Sequence, residues 1–293
     1  MTPRFRTAGL IGCVLVSAAF IPVQPANAQG ATGLLVVAHG ANRAWNLRVR
    51  ETVARLEWRG PVTVAFLMGE EADTSGWDAG VRELAGRGAQ DIVAVPLMVS
   101  SHGAHYRQIR YLAGEIPDWP ADLSHQHGPR VEPPVPVRVT TALDGAPELG
   151  QVLRDRWRAL APVDRRRSLV LVAHGPSSDD EAALWVRDLE LAARELGSDV
   201  QVRIGLLRDD ASPPVRAAAI AQIRATVNEL AGAGGDSVAV LPVLISSGSI
   251  DRLTIPKDLF GLPIRYTATA LAPHDALARW IERVALAKAE TPR

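Results

Sequence analysis

Lysine is nearly missing from this sequence: of 32 basic residues, all but Lys257 and Lys288 are arginine, a bias of base composition rather than of function. A net charge is missing too, because 32 acidic residues balance the basic ones. No basic stripe stands out along the chain, so the electrostatic footprint of a nucleic-acid binder is lacking and partners of that kind are excluded. Cysteine is down to one residue, Cys13. No apolar run reaches the roughly 20 residues that a bilayer span needs. What remains is 47% hydrophobic over 293 residues, enough for a substantial core in two ordinary domains or one large one.

Residues 1–28 read as a signal peptide. Arg4 and Arg6 make a positive start, an uncharged apolar run follows from Ala8 to Ile21, Pro22 and Pro25 break any helix, and Ala26-Asn27-Ala28 supplies small residues for cleavage. The expected mature chain begins at Gln29 and is periplasmic or secreted, with no stable membrane insertion. The rival reading is a lipoprotein anchored through Cys13, but that cysteine stands in the middle of the apolar run. Cleavage after Ala28 removes Cys13, so the mature chain has neither a disulfide nor a thiolate ligand, and any metal must be held by nitrogen or oxygen.

The rest of the chain is a repeat. Leu34-Leu35-Val36-Val37-Ala38-His39-Gly40 recurs as Leu169-Val170-Leu171-Val172-Ala173-His174-Gly175, and Ile92-Val93-Ala94-Val95-Pro96-Leu97 as Val238-Ala239-Val240-Leu241-Pro242-Val243. The first half is expected to form strands at 34–38, 62–67, 92–96 and 137–140, with helices at about 45–58, 76–87, 104–115 and 146–160. The second half repeats the strands at 169–173, 201–207, 238–241 and 264–267. Apolar runs without alternation are the mark of parallel strands buried on both faces. The fold class is therefore α/β: two tandem lobes, 33–163 and 168–288, each a parallel sheet of about four strands flanked by helices and joined by the charged stretch 164–168. The Pro-rich insert 117–136, carrying His125 and His127, reads as a mobile loop, and Trp45, Trp77 and Trp119 read as packing on helix faces.

Ligands of open parallel sheets bind beyond the carboxyl ends of the strands. His39 stands directly at the end of the first strand, and Ser100-Ser101-His102-Gly103-Ala104-His105 follows the third, so neighbouring strands would bring His39 and His105 face to face. Glu70, Glu71 and Asp73 follow the second strand and offer a carboxylate, Glu70 foremost, as a third metal ligand. A lone histidine after a buried strand is ordinarily a hydrogen-bonded structural residue; a pair on one functional rim raises the metal reading.

These residues carry a resemblance. An apolar strand ending in His-Gly, followed downstream by a Val-x-Val-Pro-Leu strand and Gly103-Ala104-His105, is similar to the CbiX/SirB class of tetrapyrrole metal chelatases over about 34–112, and more faintly over 169–259. The resemblance implies that His39 and His105 bind an incoming divalent metal, cobalt or iron, which is inserted into a sirohydrochlorin-type tetrapyrrole, with no organic cofactor; imidazole donors suit nickel as well. Met68 stands where the family has a glutamate after the second strand, and Gly248-Ser249-Ile250 where the second lobe would repeat Gly-x-His. The C-terminal lobe is thus expected to be a scaffold or a wall of the cleft. Imidazole can both ligate a metal and accept a proton near neutral pH, so two histidines titrating near 6.5 would give an acid limb of slope two. Two other functions compete. A non-catalytic periplasmic metal or tetrapyrrole binding protein fits the absent glutamate and the leader. A histidine phosphatase needs an arginine directly before the histidine, and Ala38 and Ala173 stand there.

Overall fold

The computed structural model describes residues 31–123, 130–160, 168–232 and 237–291. The proposed leader with Cys13, the loop histidines His125 and His127, and most of the linker lie outside the described residues. Among those described, no helix is long and apolar enough to cross a membrane.

The first lobe runs β1 (Thr32–Ala38), α1 (Arg43–Val53), β2 (Val62–Phe66), α2 (Trp77–Gly86), β3 (Asp91–Pro96), α3 (Ala104–Leu112), β4 (Val137–Val139) and α4 (Pro147–Leu160). The second runs β5 (Ser168–Ala173), α5 (Asp179–Ala193), β6 (Gln201–Leu206), α6 (Pro213–Gly232), β7 (Val238–Val243), α7 (Ile255–Asp258), β8 (Ile264–Tyr266) and α8 (Asp275–Glu290). Each lobe is one four-stranded parallel sheet, in the orders β2-β1-β3-β4 and β6-β5-β7-β8. The strands match their expected positions. The first helix starts at Arg43 rather than near Trp45, because the Asn42 side chain accepts from Trp45 N and caps it.

Both sheets are covered on both faces. Along β1, Leu34, Val36 and Ala38 face the core shared with the other lobe, whereas Leu35 and Val37 face α2 and α3. Along β5, Leu169, Leu171 and Ala173 join the shared core, and Val170 and Val172 face α6 and α7. Period-two alternation with both sides dry leaves no polar position, which is why these strands are unbroken apolar runs.

The shared core is built by an exchange. Helix α4, the last of the first lobe, packs against β7, and α8, the last of the chain, packs against β3 and β1. Trp280 of α8 and Leu149 and Leu153 of α4 are fully buried there. Arg138 ties β4 to the end of α8 through the carbonyls of Lys288 and Thr291. Each sheet therefore needs the other half of the chain to cover its inner face. At roughly 1.5–3 kcal/mol for each large apolar side chain buried, this layer dominates the association of the lobes.

The tryptophans divide. Trp77 is buried at the start of α2, as expected. Trp45 is partly buried against the shared core, and its carbonyl accepts from Ser246 Oγ of the second lobe at 2.9 Å. Trp119 lies on no helix; it packs edge-on against Tyr111 with ring centroids 5.5 Å apart, and Arg130 lies over the same tyrosine.

Candidate metal centre

In the order β2-β1-β3-β4 the connections leave β1 toward β2 on one side and then return to β3 on the other, so a crevice opens between the carboxyl ends of β1 and β3. His39 follows β1 at this crevice. Gly40 turns the chain at once with φ 86°, and a Cβ there would stand 2.2 Å from the Met68 carbonyl oxygen, so only glycine fits. The loop is held from beneath: His39 O accepts from Met68 N at 2.9 Å, and the fully buried Asn46 side chain accepts from Ala41 N at 3.0 Å. His39 Nδ1 is 2.8 Å from Gly40 O. A carbonyl can only accept, so Nδ1 carries the proton and the lone pair is on Nε2.

The second histidine comes from the opposite side of the crevice. After β3, residues 100–103 lead into α3, whose second residue is His105. Its Nδ1 lies 3.0 Å from Oε1 of Gln108, one turn on, and Gln108 is buried. That contact sets the lone pair of His105 on Nε2 as well, the usual way a protein orients a metal-binding imidazole. The two rings meet edge to face, with centroids 4.7 Å apart and planes at 89°. Gly103 acts differently from Gly40: its φ of 171° is ordinary extended backbone, and a Cβ would meet nothing within 4 Å, so it leaves open room at the rim.

His39 is held neutral. Burial is the main cause, the charge of His105 adds to it, and together they push its pKa from 6.5 down to about 4 despite the bond to Gly40. His174 lowers it further and Asp210 opposes. A neutral imidazole is ready to ligate. The same shift makes His39 a poor resting place for a proton at neutral pH. The expectation that both histidines combine ligation with proton uptake therefore does not hold for His39.

Carboxylates do not complete the pair. Glu70 Oε2 accepts from Arg43 N at 3.0 Å, at the first turn of α1, where the helix dipole favours a negative charge. Glu71 accepts from Arg50 at 2.6 Å and Asn46 at 3.1 Å, and these bonds hold its carboxyl below the usual range. Both serve the buttress beneath the His39 loop. Among the described residues, no third His, Cys, Asp or Glu donor gathers with His39 and His105. Glu70 as a third ligand is thus a reading that the structure does not support. The local cause is the turn at Gly69 (φ 84°), which carries the chain from β2 over Ala41 toward α1.

The second lobe presents the matching rim. His174 Nδ1 lies 2.9 Å from Gly175 O, and its Nε2 is 3.7 Å from Asp210 Oδ2. Residues 250–254 form a π-turn, so Ile250 stands where a second histidine would complete a site. Both His174 and Asp210 lie within electrostatic reach of His39. The C-terminal lobe is therefore a wall of the same crevice. Sequence reasoning missed His102, Asp144 and Asp188, whose ligand atoms lie within 4.8 Å of one another. His102 was visible in the run after β3, but nothing in the sequence announces that a helix of the other lobe brings Asp188 to it.

No curated protein matches. The structure resembles SirB from Bacillus subtilis with Fe3+ (TM-score 0.61, 16% identity, covering 89% of this chain and 96% of that one). It also resembles the sirohydrochlorin chelatase SirB from Bacillus subtilis subspecies spizizenii in complex with cobalt (TM-score 0.59, 16% identity, 89% and 97%). A multi-domain Deinococcus radiodurans protein, described as structurally similar to chelatases with two additional novel domains, aligns over 90% of this chain and 56% of its own (TM-score 0.56, 16% identity). At that identity the likeness establishes a shared two-lobed fold. Residues 33–160 match the CbiX family model, and that segment contains both His39 and His105. The N-terminal lobe of this chain is thus similar to the CbiX family.

Proposed function

We propose that this chain is a chelatase that passes a divalent metal, cobalt, iron or nickel, into a sirohydrochlorin-type tetrapyrrole at the crevice between β1 and β3. The observation that carries the proposal is the edge-to-face pair His39 and His105, each with Nδ1 engaged and its lone pair on Nε2. Two nitrogen donors leave coordination positions for the macrocycle, and so differ from a closed four-ligand structural site. Metal release needs this openness. Insertion removes two N–H protons from the macrocycle. Since His39 stays neutral to about pH 4, those protons pass to His105, to the His174–Asp210 pair on the facing wall, or to solvent. Imidazole ligands suit cobalt, nickel, zinc and iron alike, so the donor set does not select the metal.

The leader pattern at 1–28 supports action outside the cytoplasm, in the periplasm or secreted. A carrier that holds metal or tetrapyrrole without turnover is the second reading. It is favoured by one observation: Glu70 and Glu71 are committed to α1, and Met68 occupies the position after the second strand. Visible spectroscopy separates the two. Purified protein mixed with sirohydrochlorin and Co2+ should convert the spectrum catalytically, and His39→Ala should abolish conversion. Stoichiometric binding without turnover would establish the carrier.

A further inference from the structure

A second group of donors stands between the lobes. His102 is on the loop after β3, and Asp144 follows β4, so both belong to the first lobe. Asp188 is on α5 of the second. A ring nitrogen of His102 and one carboxylate oxygen of each aspartate lie within 4.8 Å of one another. Asp188 is only 6% exposed. Its Oδ1 accepts from the neighbouring Arg187, but its Oδ2 is buried with no hydrogen-bond partner. His102 Nε2 is 3.2 Å away from that oxygen, yet the two fall outside hydrogen-bond geometry. A buried carboxylate oxygen left without a hydrogen bond is costly.

The rest of the group is held firmly. Asp144, with φ 45°, accepts from Ser101 N at 2.6 Å through Oδ1 and from Ser101 Oγ at 2.8 Å through Oδ2. Each of its oxygens keeps a second lone pair. The His102 backbone is fixed by Ser100 Oγ on its N–H and by Trp185 Nε1 on its carbonyl at 2.5 Å. Trp185 is one turn before Asp188, and Glu181, a turn earlier again, pairs with Arg107 of α3. One stripe of α5 thus docks on the segment that carries both His102 and His105. Burial raises the Asp144 carboxyl; the Ser101 bonds and the charge of His102 oppose this, and nearby Asp188 adds to it.

We propose that His102, Asp144 and Asp188 form a second divalent transition-metal site that bridges the two lobes. One nitrogen and two oxygens suit Zn2+, Co2+ or Fe2+. A bound ion would neutralise the two carboxylates, satisfy Asp188 Oδ2, and brace the loop three residues before His105. It is distinct from the His39/His105 pair and does not depend on the chelatase reading.

Equilibrium dialysis of the whole protein against Co2+ alone tests the site. The wild type should bind about two equivalents, and the double variant His39→Ala/His105→Ala about one. Adding Asp188→Asn or, separately, His102→Ala to that double variant should remove the remaining equivalent. His102 is partly exposed, so His102→Ala keeps the test open should Asp188→Asn fail to fold, as circular dichroism would show. The double variant should also gain thermal stability with Co2+, and lose that gain with the third substitution. If the double variant binds no metal, or if its metal survives both added substitutions, the site does not exist and His102 and Asp188 are only an inter-lobe ion pair.

Discussion

Replacing His105 with alanine should move the titration of His39 by a large and visible amount. In the folded protein, burial first and the charge of His105 second hold the His39 pKa at about 4, with His174 adding to them and Asp210 and the Gly40 carbonyl opposing. His105→Ala removes the second cause and opens the ring to water, weakening the first. The midpoint should climb from about 4 toward the unperturbed value of about 6.5. At pH 5, a group with pKa 4 is roughly 90% neutral, and one with pKa 6.5 roughly 3%, a difference of about thirtyfold in ligating form. Imidazole carbon-bound proton resonances followed by NMR between pH 3.5 and 8 give the midpoint directly, and His39→Gln identifies the signal. The same shift governs metal binding: the acid limb of Co2+ affinity between pH 5 and 7 should carry no more than one proton from the pair, where two ordinary histidines would give a slope of two. Stability follows with its own sign. The unfolded ring binds a proton below about 6.5 and the folded one only below about 4. The contribution is therefore complete above pH 6.5, declines through that window as pH falls, and amounts to on the order of 3 kcal/mol. A wild-type midpoint at or above 6.5, or one unmoved by His105→Ala, would refute this account of the crevice.

Substitutions around the pair should separate sharply. His39→Ala should weaken Co2+ binding at the crevice by about a hundredfold or more, a loss typical for removing a metal ligand's support or the ligand itself, whereas Glu70→Gln should change it less than about threefold because that carboxylate serves α1; dialysis at pH 7 reads both. His174→Ala, which takes a neighbour from His39 but no member of the pair, should fall between them. Trp280→Ala should cost about 3–5 kcal/mol and leave a single denaturant transition, since both sheets share that layer; two separated transitions would show lobes that are independent after all. Intact mass of exported material should begin at Gln29, and a lipidated Cys13 or an uncleaved chain would count against the leader reading.

Much of the fold follows from local sequence. Strands β1, β3, β5 and β7 are apolar on consecutive positions because both faces are dry, and that pattern can be read without coordinates. The duplicated His-Gly after a strand carries the rim with it, since Gly40 and Gly175 are turns that no other residue could make beside the facing backbone or side chain. The pair His39 and His105 was legible for the same reason: parallel neighbours put their carboxyl ends together, and both residues lie immediately beyond such ends. What the sequence could not determine depends on groups far apart in the chain. Glu70 and Glu71 look like ligands at the right strand edge, but the turn at Gly69 and the amides and side chains of α1 claim them. The exchange of α4 and α8 between sheets leaves no local trace, because an apolar helix face is equally compatible with either sheet. His102, Asp144 and Asp188 are ordinary residues in isolation, and only the docking of α5 on the other lobe makes them a group. The pKa of His39 likewise belongs to the assembled crevice, since His39 and its neighbours His105, His174 and Asp210 come from four separate stretches of the folded chain.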